Sequence, residues 1–98
     1  MFIASYSKKH DVRHNVYIQR MVIDVLKPRE VDIIEFSKAL GSVDGINEVT
    51  TSVTEVDVKT ETVKVTVKGS NIDFNIVMKV IEGYGAVIRS IDEVSVSK

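Results

Sequence analysis

Between Thr60 and Gly69 the chain alternates without a fault: Val63, Val65 and Val67 hold one phase, and Thr62, Lys64, Thr66 and Lys68 hold the other. Successive side chains of a strand point to opposite faces, so this segment is a strand with one face in a core and one in water. It needs a sheet covered on one side, and neighbours to build that sheet. The apolar composition agrees. Valine and isoleucine dominate, while leucine occurs only at Leu26 and Leu40, and β-branched side chains suit a pleated, half-buried surface.

The remaining elements follow from similar patterns. A first strand is expected over Val16 to Lys27, because Met21 to Leu26 is apolar in both phases apart from Asp24. Pro28 reads as the end of that strand and the first turn of a helix, with Glu30 and Asp32 near the positive end of its dipole. Ile33, Phe36, Leu40 and Val43 recur at helical spacing, and Gly41 is the stop. After Asp44-Gly45 a long strand carries Val49, Thr51 and Val53 in one phase but Val56 and Val58 in the other. That change of phase predicts a bulge near Ser52 to Glu55, and Lys59 to Glu61 reads as the hairpin turn. Asp73 is a natural N-cap for a second helix with an inward stripe of Phe74, Val77, Ile81 and Tyr84. A last strand is expected from Ala86 to Ile91, with Val94 and Val96 as an extension.

The order β-α-β-β-α-β is the split arrangement of the ferredoxin-like plait, an α+β fold with a four-stranded antiparallel sheet in the order 4-1-3-2 and two helices on one face. The domain is expected over residues 16–98. Residues 1–15 show no sustained period and read as an N-terminal extension with a short strand at Phe2 to Tyr6. Val22 and Leu26 would put an apolar patch on the open sheet face, to be covered by the extension or by another subunit.

Ninety-eight residues, 44% hydrophobic and 28% charged, fit one globular domain. The absence of cysteine removes disulfides, thiolate catalysis and cysteine-based zinc sites. No apolar run approaches the ~20 residues that span a bilayer, and none of the signal-peptide kind is present, so a soluble cytoplasmic protein is expected. A net charge of −1 offers no pull towards nucleic acid. The third strand would also show Thr and Lys where an RNA-recognition module shows aromatics.

Several stretches together resemble a known family: Asp24–Pro28 (Asp-Val-Leu-Lys-Pro), Val43–Ile46 (Val-Asp-Gly-Ile), the whole of Thr60–Gly69, Asp73-Phe74, Ile81–Gly85 (Ile-Glu-Gly-Tyr-Gly) and Ser90–Val94 (Ser-Ile-Asp-Glu-Val). In order and spacing, over Ile18 to Val94, they are similar to the small archaeal proteins catalogued as domain of unknown function 211. The resemblance implies a ferredoxin-like fold, an archaeal cytoplasmic source and ring-like homo-oligomers. It brings no enzyme activity, and so no catalytic residues.

The chemistry-bearing candidates are few. His10 and His14 stand four apart, but no amphipathic pattern makes the helix that would point both at a metal. Asp24, Asp57 and Glu61, with Glu55 beside them, would approach one another near the hairpin, an oxygen donor set suited to calcium or magnesium, most naturally where subunits meet. The plainer expectation is that Asp24 pairs with Lys64 while Glu61 decorates a turn. Asp92 and Glu93 close a strand end. Gly83-Tyr84-Gly85 ends a helix and so is not a phosphate loop. No Ser, Thr or His forms a nucleophile and base.

The sequence therefore predicts a non-enzymatic homo-oligomeric module with a divalent cation or small ligand between copies, and neither nucleic acid nor membrane as partner. The alternative is a small-molecule-sensing regulatory domain of the ACT type, which shares the plait. That family commonly places glycine between the first strand and first helix, where this chain has Lys27-Pro28. An acylphosphatase-like enzyme would need a glycine-rich phosphate loop and its arginine, which this sequence lacks.

Overall fold

Val63, Val65 and Val67 are fully buried, while Lys64 and Lys68 on the other face are exposed. The computed structural model that shows this describes residues 15–98. The proposed N-terminal extension, save Asn15, and the His10/His14 pair lie outside the described residues. The elements are β1 (Tyr17–Pro28), α1 (Ile33–Gly41), β2 (Ile46–Val56), β3 (Thr60–Gly69), α2 (Phe74–Gly83) and β4 (Val87–Ser97). All strand pairs are antiparallel, in the order β2-β3-β1-β4. This is the ferredoxin-like plait.

One core joins the sheet to both helices. Met21, Ile23 and Val25 of β1 meet the β3 valines, and Phe36 and Leu40 of α1 with Val77 and Ile81 of α2 close over them. Each helix begins at an aspartate whose carboxylate accepts a backbone N–H two residues on: Asp32 from Ile34, and Asp73 from Asn75. Such caps satisfy donors that the helix itself leaves open. At the mouth of β2 the backbone of Gly69 comes so close to Gly45 that a Cβ on Gly69 would sit 1.8 Å from the Gly45 carbonyl oxygen. No other residue fits at Gly69 without moving a strand.

The phase change in β2 is the expected bulge, a register shift between Val53 and Glu55 against β3. The hairpin turn comes earlier than expected, since β3 already begins at Thr60. β4 is longer than expected and runs to Ser97 with irregular register at three points, two of them around Arg89 and Asp92.

Pro28 does not open α1. It is the last residue of β1, and the helix starts at Ile33 with Asp32 as its cap. The sheet explains why. Pairing of β1 with β4 stops at Leu26, whereas pairing with β3 continues to Pro28 opposite Thr60. At Pro28 the strand has thus become an edge, where a missing N–H is tolerated.

The open face also differs from expectation. Val22 is only 4% exposed and Leu26 is half-buried, so the two form no open apolar patch. The ion pairs Arg20–Glu93 and Arg89–Asp24 stand on either side of Val22 in the register. Exposed apolar side chains lie instead on the outer strands: Val53 and Val56 of β2, and Val87, Ile91, Val94 and Val96 of β4.

Candidate functional site

In β1 the core-facing phase reads Met21, Ile23, Val25 and then Lys27. The lysine takes its turn inward and is 1% exposed, the one charged side chain in the core among the described residues. An unpaired ammonium there would be prohibitively costly, and the structure supplies three oxygens for its three donors. Nζ donates to the Pro28 carbonyl at 2.9 Å and to the Val31 carbonyl, and it meets Glu61 Oε1 at 2.9 Å. Lys27 and Glu61 are directly opposed in the β1–β3 register. The ammonium therefore folds the β1–α1 link around itself and fastens it to β3, as a bound metal ion would.

Against this link lies a cleft of about 460 Å³, lined by Pro28, Arg29, Glu30, Val58 and Lys59. Its walls come from two separate segments, the β1–α1 link and the tip of the β2–β3 hairpin. The Arg29 amide donates to the Lys59 carbonyl at 2.9 Å and ties them together. The Arg29 guanidinium lies 3.4 and 3.5 Å from the carbonyl oxygens of Asp57 and Val58.

The three carboxylates expected to share a cation do not converge within one chain. Asp24 lies on the open face opposite Lys64, where Arg89 takes its carboxylate at 3.3 Å and also donates to Thr62 Oγ1. Glu61 stands in the same phase as Val63, on the helix-covered face, held by Lys27. Asp57 is exposed at the hairpin tip, its amide bonded to the Thr60 carbonyl, and Glu55 is exposed in β2. Among the described residues no group of three or more His, Asp or Glu side chains could hold a metal ion. Glu61 does bind a cation, but that cation is the chain's own lysine. Asp92 accepts from Ser90 Oγ at 2.7 Å, and Glu93 pairs with Arg20.

Lys27, Arg29 and Lys59 were not singled out by residue type. Lys27 did leave a signal, because a lysine in the buried phase of a strand must have a partner. Tyr84, expected in the core, is half-buried with its ring edge-on to Phe36 at 5.7 Å. Its hydroxyl donates to Glu35 at 3.3 Å. Partial burial first, and then the Glu35 carboxylate, hold the phenol above its ordinary value.

The described chain is thus a ferredoxin-like α+β domain with an internal ammonium site, a basic cleft and apolar outer strands. Residues 19–98 match the model of the family described as "Uncharacterized ArCR", domain of unknown function 211. An uncharacterized protein of the archaeon Methanocaldococcus jannaschii is 44% identical over 81 residues, covering 83% of this chain and 84% of its own. The chain belongs to this family. Among the described residues no helix is long and apolar enough to cross a membrane.

Proposed function

We propose that the protein is a non-enzymatic homo-oligomeric module whose copies join along the outer strands. The observation that carries this reading is the row on β4. Ile88, Ile91, Val94 and Val96 lie opposite Val25, Ile23, Met21 and Ile18 of β1, on the face that forms the core, yet three of the four are exposed. An outer strand also presents unpaired N–H and C=O groups, which another sheet edge satisfies. A second copy brings the same apolar row and the same kind of edge, so it fits the surface in both respects.

A calcium or magnesium ion between copies would find Asp57 available, whereas Asp24 and Glu61 are already held by Arg89 and Lys27. Light scattering at micromolar concentration tests the assembly. The expected mass is a multiple of the 10.9 kDa chain, falling towards one chain in the Ile91→Lys/Val94→Lys variant. A wild-type mass of one chain sinks the reading. Native mass spectrometry with and without chelator tests the cation.

The ACT-like alternative has one observation in its favour, the cleft beside the link between first strand and first helix. Melting curves with individual amino acids separate the readings, because only a sensor is stabilised selectively by one of them.

A further inference from the structure

We infer that the cleft between the β1–α1 link and the β2–β3 hairpin tip binds a small molecule with an anionic head, carboxylate or phosphate, and a short apolar body. Five residues line it: the cations Arg29 and Lys59, the anion Glu30, and the apolar surfaces of Pro28 and Val58. A guanidinium carries five N–H donors in a planar fork matched to two oxygens of one anion. Among the described residues the side-chain acceptors for Arg29 are the Asp57 and Val58 carbonyls, both on one nitrogen, Nη1, at 3.4 and 3.5 Å. Those distances exceed the ordinary N–H···O range. The carbonyls aim the group towards the hairpin without saturating it.

Lys59 brings a second positive charge from the other wall, and the bond from the Arg29 amide to its carbonyl fixes the distance between the walls. Val58, 85% exposed, and the Pro28 ring offer an apolar surface to the ligand body. Glu30 sets one negative charge against the two cations, which leaves the lining net positive. The cleft is also formed in advance. Lys27 clamps the Pro28 and Val31 carbonyls at each end of the link, so binding orders little further backbone.

The inference rests on the small-ligand reading and names its chemistry, and it is independent of assembly along the outer strands. Scanning calorimetry of the full chain tests it with inorganic phosphate and with propionate, ionic strength being matched by chloride. At about four times the dissociation constant, a rise of roughly 4–8 °C in melting temperature is expected. Phosphate also stabilises proteins by exclusion from their surface, so the control is the Arg29→Gln/Lys59→Gln variant. Both substitutions are at exposed side chains and leave the connecting backbone bond in place. The rise is expected to vanish in the double variant and to shrink in each single one.

No rise with either anion, or an equal rise in wild type and double variant, overturns the proposal. Stabilisation by an amino acid in wild type and double variant alike, with no phosphate or propionate rise that the double variant loses, overturns the cleft while leaving sensing at another place intact. A nuclear magnetic resonance titration of the wild type gives a reading that does not depend on variants. Saturable shifts at the Arg29 and Lys59 amides support the cleft, and their absence counts against it.

Discussion

Ile23 and Ile91 are the same residue, directly opposed on neighbouring strands and facing the same way, yet one is 0% and the other 42% exposed. Val63 and Val53 repeat the contrast on the other flank, 0% against 42%. Residue type therefore does not decide burial here. Position in the sheet does. The inner strands β1 and β3 have a strand on each side and both helices above. The outer strands have one neighbour, and of their apolar side chains only Ile46 joins the core, with Val49 and Ile88 packed against its edge.

The sharpest way to break this contrast is at its most demanding inner position. Replacing Lys27 by Met leaves Glu61 and two carbonyl oxygens without their cation, a loss of about 3–5 kcal/mol, read in urea unfolding. Glu61→Leu on that background should restore part of it, and a loss that simply adds would show that the two are not coupled. Next comes the isoleucine pair. Ile23→Ala is expected to cost about 2–5 kcal/mol, while Ile91→Ala costs the isolated chain under about 1 kcal/mol. Equal costs would erase the distinction between inner and outer strands. Asp32→Ala and Asp73→Ala should each cost about 1 kcal/mol, since both caps serve helices that roof the inner strands. A loss at only one of them would show that the two roofs differ in importance. The smallest effect belongs to the Arg20–Glu93 pair on β4. Glu93→Gln should cost about 0.2–1 kcal/mol, and less in high salt. A larger, salt-independent cost would mean that the pair is buried in an assembly.

What was legible in sequence was whatever a short stretch of chain decides for itself. The β3 alternation, the β2 phase change and the Asp73 cap are local signals, and local chemistry decides them. Pro28 was misplaced because its role depends on where β4 stops pairing, a fact set by residues some sixty positions away. The carboxylates failed to meet for a reason of parity. Asp24 and Lys27 are an odd number of residues apart, so they face opposite sides of β1, and Glu61 follows Lys27. The cleft left no local signal, because its walls are brought together by the pairing of the end of β1 with the start of β3, which the backbone bond from Arg29 to Lys59 continues.

The ammonium of Lys27 carries a last consequence. A metal in that position would dissociate, compete with other ions and respond to chelators. A charge tethered by its own side chain has an effective concentration that dilution cannot lower. The shape of the β1–α1 link therefore does not depend on the supply of a metal ion. The same tether forbids exchange, so this corner of the molecule is fixed once, at folding, and is not available as an ion-operated switch.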